Sequence, residues 1–380
     1  MYKFPFYTDN LEELEWDAIT EHYSWVKDMV EVPQDSIWHA EGNVHTHTMM
    51  VTKELLRLEE FHQESEQAKH ILFQGALMHD IEKRSTTIID DYCEEEKRIC
   101  ISAPKHAKKG EYTTRELLYQ EQVPFSVREQ VCKIVRWHGV PLWTIDKGDP
   151  KKSVLKSSLH IPNKWLAMFA KADALGRICN DKEDLLTRIS IFEEICKDNN
   201  VWDQPYNFQS DLAKFIYFSD ENKTYPNYNP YDDYVGEMII MCGLPGAGKS
   251  SLVQKQFKNL PIVSMDEMRR ELKVKHRDKK AQGQIIQQAK DLMKQHLRQG
   301  LKFVVDATNI TELDRSKLIE LATTYKAKTK IIYVESDYKT LLSQNRNRPH
   351  PVPEKTLLGY LKKLEIPCPS EAVCVQYITP

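Results

Sequence analysis

The run Gly243-Leu244-Pro245-Gly246-Ala247-Gly248-Lys249-Ser250 fits the pattern GxxxxGK[ST] in full. Glycines at this spacing let backbone N–H groups turn inward around phosphate oxygens. A helix starting at the end of the run adds a favourable dipole. Lys249 then reaches the β- and γ-phosphates, and Ser250 ligates Mg²⁺. With Ser251 this segment reads as the binding site for ATP or another NTP. Asp266 and Arg269 follow, one helical turn apart. A carboxylate at a strand end can accept the proton of an attacking hydroxyl, and Asp is equally a common helix N-cap. Asp306-Ala-Thr-Asn309 closes a later apolar run, with Asn309 either facing the nucleotide or serving as a turn residue. Arg346 and Arg348, interleaved with Asn and followed by Pro349, suit a lid that clamps phosphates, or a solvated basic turn.

A second group lies in the first half of the chain. Leu72, Ala76 and His79 share one helical face, so His79, beside Asp80, points into a core. His47 starts a helix with Met50, Val51, Leu55 and Leu58 on its face. Val131, Ile134 and His138 align, as do Leu166, Phe169, Ala170 and Asp173. Ser126-Val-Arg-Glu129 reads as a capping box for the His138 helix. A core histidine is usually a satisfied polar group, but a carboxylate on an apolar face costs several kcal/mol unless it is paired. Several His and two Asp converging from separate helices are explained by a metal ion. Mixed imidazole and carboxylate ligands favour Mn, Fe, Co, Ni or Zn.

These residues need two different scaffolds. Residues 1–221 are helix-patterned almost throughout. Residues 236–380 alternate helices with short β-rich runs, MIIMC (238–242), PIVSM (261–265), KFVVDA (302–307) and KIIYVE (330–335). The expected fold is an all-α N-terminal domain followed by an α/β domain with a parallel sheet. Between them 222–235, rich in Asn, Pro, Tyr and Asp, reads as a linker. Residues 1–235 hold 28 Lys+Arg against 41 Asp+Glu, and residues 236–380 hold 25 against 15. The basic second half suits a polyanionic substrate, or is simply a solubilising surface. The eight cysteines form no CxxC pair, there is no signal-peptide pattern, and no apolar run could span a bilayer. A cytoplasmic protein with reduced thiols and no membrane association is expected.

The order of P-loop, Asp266-x-x-Arg269, Asp-Ala-Thr-Asn309 and Arg346/Arg348 resembles the polynucleotide 5′-kinase branch of P-loop phosphotransferases. That resemblance implies that Asp266 is the general base for a 5′-hydroxyl. It further implies that Arg269 grips the acceptor phosphate and that Arg346 and Arg348 hold the donor phosphates. A related branch phosphorylates sugars and other small hydroxyl compounds. The first half resembles the HD-superfamily phosphohydrolases through His47 in NVHTHTMMV, His79-Asp80 in ALMHDIEK and Asp173 in KADALGR. His106 and His138 stand where dinuclear members carry extra histidines. By this resemblance His47, His79, Asp80 and Asp173 hold one transition-metal ion, and Asp80 bridges to a second on His106 and His138. Lys83 either stabilises developing negative charge or is a solvated helix-end lysine.

The whole chain resembles the fused HD-phosphoesterase–polynucleotide kinases, which heal broken nucleic-acid ends. The implied partners are DNA or RNA ends carrying 5′-OH and 2′,3′-cyclic, 2′- or 3′-phosphates, with a separate ligase acting downstream. A homodimer is compatible with the resemblance. Two other readings stay open. One is a nucleotide phosphohydrolase fused to a small-molecule kinase, and the other is a nucleotide-controlled protein whose metal site is a sensor.

Overall fold

The computed structural model describes all residues except 91, 93–96, 221, 223–224 and 273–278, with side chains at 279 and 280 also outside the description. Cys93, His276 and part of 222–235 fall outside the described residues; the seven described cysteines are free thiols. The chain divides into two compact units, Met1–Tyr206 and Asn207–Pro380. This division falls before the composition-based boundary at 221, because the helix Asp211–Ser219 groups with the second unit. No described helix is long and apolar enough to cross a membrane.

The first unit is helical apart from one two-residue antiparallel pair, Ile88–Ile89 with Ile101–Ser102. Five of its helices carry the candidate site: α1 (Val44–Arg57), α2 (Glu66–Met78), α3 (His106–Gln120), α4 (Phe125–Trp137) and α5 (Asn163–Leu175). Short polar side chains start two of them. Asn43 accepts the Thr46 N–H at the head of α1, and Ser65 accepts that of Ala68 at the head of α2. The expected capping box on α4 does not form. That helix starts at Phe125 after Pro124, and no side chain caps it. Glu129 is instead drawn inward, bonded to the buried guanidinium groups of Arg115 and Arg128. Two buried cations outcompete one backbone N–H for a carboxylate, since charge-assisted bonds are roughly twice as strong.

The second unit is built on a parallel sheet of five strands: β1 (Glu237–Cys242), β2 (Ile262–Ser264), β3 (Lys302–Asp306), β4 (Lys328–Val334) and β5 (Cys374–Ile378). Their spatial order is β2-β3-β1-β4-β5, which puts the P-loop after the central strand. Strands buried on both faces read as continuous apolar runs, and Ile239, Met241, Val304, Ile332 and Val334 form one core cluster with Val253 from α6 (Lys249–Gln256). Four strands match the expected runs. β5 is an addition, an edge strand of intermediate burial with no continuous apolar run.

Gly243 makes the turn from β1 into the loop possible. Its φ is +143°, and a Cβ there would lie 2.3 Å from the Val334 carbonyl oxygen. Gly243→Ala is therefore expected to lower the stability of the second unit by about 2–3 kcal/mol and to weaken NTP binding. Denaturant unfolding and nucleotide titration of the full chain would measure both, and an unchanged midpoint would contradict the close-packing argument.

Candidate functional sites

Five helix termini converge in the first unit. His47 lies in the first turn of α1, His79 caps α2 with Asp80 next, His106 opens α3, His138 caps α4, and Asp173 lies in the last turn of α5. His47, His79, Asp80, His138 and Asp173 are all buried. The Nδ1 atoms of His79, His106 and His138 lie 2.8, 2.7 and 2.8 Å from the carbonyl oxygens of Ala76, Ala103 and Val135. A carbonyl only accepts, so each Nδ1 carries a proton and each neutral ring offers its Nε2 lone pair to the interior.

Those lone pairs gather around Asp80. His79 Nε2 lies 3.2 Å from Oδ2, and His106 Nε2 lies 3.4 Å from Oδ1 and 3.4 Å from His138 Nε2. His47 Nε2 lies 3.1 Å from Asp173 Oδ1 and 3.7 Å from Asp80 Oδ2. Despite burial, His47 Nε2, His79 Nε2 and Asp80 Oδ1 make no hydrogen bond. Lone pairs facing lone pairs and carboxylate oxygens are unfavourable unless a cation stands between them. Donor atoms of His47, His79 and Asp80 all lie within 4.8 Å of one another, as do those of Asp80, His106 and His138. Asp80 is common to both groups, so the residues present fit two ions sharing one carboxylate.

The electrostatics favour the ligand form of Asp80, Asp173 and His138, whereas at His47 burial is outweighed by Asp173 and Glu41, which raise the imidazole above its usual value. Burial would raise the Asp80 carboxyl, but Lys83, His79 and His106 hold it well below the usual carboxylate range. Burial likewise opposes ionisation of Asp173, and Arg177 and His47 reverse it. Burial, with His106 and His79 nearby, pushes His138 down to about 3, so that ring is neutral. Lys83 is no solvated lysine. Its Nζ lies 2.8 Å from Asp80 Oδ2, donates to Gln34 Oε1 at 2.7 Å, and is largely buried.

Four contributors were given no role by the sequence, three of them outside the quoted motifs. Glu41 Oε1 lies 2.8 Å from His47 Nδ1 and 2.9 Å from His39 Nδ1, and Glu41 Oε2 accepts the Ile178 N–H. His39, Glu41 and His47 also have the spacing of a metal group. His39 Nδ1 is hydrogen-bonded to that carboxylate oxygen, whereas His47 Nδ1 lies against it without a hydrogen bond. Arg177 forks onto Asp173 at 3.1 and 2.6 Å. Only this pair had a readable signal, its i,i+4 spacing, although Arg177 lies just past the end of α5. Glu41, His39 and Gln34 belong to irregular segments with no periodicity to read. A cavity of about 530 Å³ opens beside the cluster, reaching Lys83, His39 and Arg177.

The second site lies at the C-terminal ends of the strands, where ligands of open α/β sheets bind. Lys249 Nζ donates to the Gly243 and Leu244 carbonyls at 2.8 and 2.9 Å. Burial pushes Lys249 down to about 8, with Arg348 adding to it and Asp306 and Asp266 opposing it. Ser250 donates to Asp306 Oδ2 at 2.8 Å. This pairs the P-loop hydroxyl with a strand-end carboxylate, the usual seat of Mg²⁺. The signal in the sequence for this role of Asp306 is its place at the end of β3. Asp266 is not the N-cap. Ser264 caps α7 (Met265–Glu271), leaving Asp266 exposed in its first turn and bonded to Arg269.

Two expected nucleotide contacts have partners within the protein. Asn309 is buried at a φ of +43°, and its amide donates to the Met241 carbonyl at 2.8 Å, tying the loop after β3 to β1. Arg346, in α8 (Tyr338–Asn347), faces Glu354 at 3.7 Å, whereas Arg348 influences Lys249 and Asp306 directly.

Residues 238–367 match the family model described as an AAA domain. A crystal structure of a candidate kinase from Chloroflexus aurantiacus is similar at 18% identity over 38% of this chain and 88% of that chain, with a TM-score of 0.32. No curated protein matches the chain. Residues 238–367 are thus similar to an AAA domain, and the Gly243–Ser250 loop within them is of the P-loop type that holds a nucleotide with Mg²⁺. The helical first unit holds a His/Asp cluster able to bind metal.

Proposed function

We propose that the chain is a bifunctional nucleic-acid end-healing enzyme. Residues 236–380 transfer the γ-phosphate of ATP or another NTP to a 5′-OH end, leaving an NDP and a 5′-phosphate. The first unit, an HD-type metal phosphoesterase in this reading, adds water to 2′,3′-cyclic, 2′- or 3′-phosphate ends. The observation that carries this reading is the coexistence, in one chain, of a P-loop beside an acceptor-type carboxylate and a carboxylate, Asp80, shared by two imidazole groups. Transesterification of RNA leaves a cyclic phosphate on one side of the break and a 5′-hydroxyl on the other, and these two chemistries repair both. The Lys+Arg excess of residues 236–380 favours a polyanionic acceptor over a small neutral metabolite.

In the first unit His47, His79, Asp80 and Asp173 would hold one ion, and Asp80, His106 and His138 the other. Two such ions supply charge neutralisation and an activated water. Glu41 and Arg177 orient His47 and Asp173, and Lys83 balances negative charge as the phosphoester opens. In the second unit Ser250 and Asp306 seat Mg²⁺, Lys249 and Arg348 bind the phosphates, and Asp266 takes the proton of the attacking hydroxyl. Arg269 exchanges its bond to Asp266 for one to the acceptor phosphate.

The test is incubation of the full chain with an RNA bearing 5′-OH and 2′,3′-cyclic phosphate ends, with ATP and a panel of Mn²⁺, Co²⁺, Ni²⁺ and Zn²⁺. Loss of the cyclic phosphate should depend on the transition metal, and gain of the 5′-phosphate on ATP. Faster transfer to nucleosides or sugars run in parallel would replace the acceptor, and absence of any turnover would leave a sensor. Because Glu41 fixes His47, Glu41→Gln is expected to weaken metal binding about 10- to 100-fold. Calorimetric titration with Mn²⁺ reads this directly, and unchanged affinity would remove Glu41 from the site.

A further inference from the structure

The cavity beside the Asp80 cluster is lined by both charged and aromatic side chains. Lys83, Arg177 and His39 line it on the side that touches Asp80, Asp173 and Glu41. Trp38 and Trp143 line it as well, and they are 44% and 52% exposed. Indoles are highly buried on average, so two half-exposed ones on one cavity stand out. Arg188, fixed by Asp146 and Asp184, lies 5.6 Å from the Trp143 ring centre and holds that indole in place. The volume of about 530 Å³ falls within the range of sites that enclose a small organic ligand, about 300–1,000 Å³. One nucleotide fits such a space, and a base-paired duplex end does not.

We infer that this cavity is a nucleotide subsite, in which the base at the phosphorylated end stacks on Trp38 and Trp143 while its phosphate meets Lys83 and Arg177. The inference rests on the phosphoesterase reading above and deepens it. It makes the unpaired terminal base, and not only the phosphate, part of what the site selects. Indole faces accept any base, because every base has a π-face, so the selection is for a nucleotide and not for a sequence. Residues 1–40 and 180–220, which carry no motif, gain a role here, since Trp38 and Arg188 come from them.

The experiment compares two single-stranded oligonucleotides with the same 3′-phosphate, one ending in a normal nucleotide and one in an abasic sugar. The wild-type chain should favour the normal end through KM. In Trp143→Ala and Trp38→Ala that preference should shrink about 5- to 100-fold, the loss expected for one base stack, with Trp143→Phe keeping most of it. A wild-type preference near one, or a preference that both alanine variants retain, overturns the subsite. A second measurement does not need turnover. Indole fluorescence of the full chain, titrated with a nucleoside 3′-monophosphate, should be quenched in the wild type and much less in Trp143→Ala. Absence of turnover together with this quench would overturn the phosphoesterase reading and leave the nucleotide subsite standing. Absence of the quench would overturn the subsite.

Discussion

Asp80→Asn is expected to reduce metal-dependent phosphoester cleavage by about three orders of magnitude or more, while NTP-dependent phosphotransfer by the same chain stays within about twofold. The size follows from the double role of one carboxylate. Its Oδ2 faces His79, His47 and Lys83, and its Oδ1 faces His106. An amide keeps the volume but removes the anion, and its NH₂ donates where a ligand lone pair is needed. Metal stoichiometry separates this account from a mononuclear one. The wild type should bind two equivalents of Mn²⁺, His106→Ala one, and Asp80→Asn none with comparable affinity. Retention of one tight equivalent by Asp80→Asn would show that Asp80 does not bridge. The substitution also leaves the largely buried Lys83 without its anion, a change that costs on the order of 3 kcal/mol in a buried pair. Thermal unfolding of the metal-free protein should record that loss, and Lys83→Met in the same background should restore part of it.

The parts of this site legible in the sequence were those tied to a helical period. His47, His79, His138 and Asp173 each sit among apolar residues at spacings of three and four, so their inward direction follows from helix geometry alone. The P-loop was legible because its turn tolerates so few residues, and Gly243 pressed against Val334 gives the steric reason. What was not legible depends on contacts across the fold. Glu41 reaches His47 from an irregular segment, and Gln34 reaches Lys83 across 49 residues of sequence. Glu129 had the spacing of a capping-box acid, yet local propensity gave way to two buried arginines. Asn309 had the composition of a ligand-facing turn, and its amide instead holds two strands together. β5 pairs with β4 from more than 40 residues away, and its run of partly buried residues, without alternation, carries little local signal. At Glu129 and Asn309 a nonlocal partner overrode a local preference, and at Glu41, Gln34 and β5 a nonlocal partner supplied what no local pattern signalled.

The kinase half allows a sharper separation of roles. Asp266→Asn is expected to lower kcat for phosphotransfer by about 10²- to 10⁴-fold, the usual contribution of a positioned general base, with NTP affinity nearly unchanged. Asp266 is exposed in the first turn of α7, and its side chain is bonded to Arg269. Its charge nonetheless acts on both P-loop partners, raising Lys249 and the Asp306 carboxyl. Its bond to Arg269 explains why the two act differently when removed. Arg269 also donates to Gln282, so an asparagine at 266 leaves that guanidinium anchored. Arg269→Ala, by contrast, frees Asp266 and removes the grip on the acceptor. It should raise KM for the 5′-OH strand more than it lowers kcat. Measuring both constants for both variants, with phosphoesterase activity as the internal reference, tests the division. If Asp266→Asn raised the KM for NTP and left kcat intact, Asp266 would be a nucleotide-binding group, and the acceptor's proton would need another base. If Asp266→Asn also removed phosphoester cleavage, the two chemistries would not be the work of separate sites.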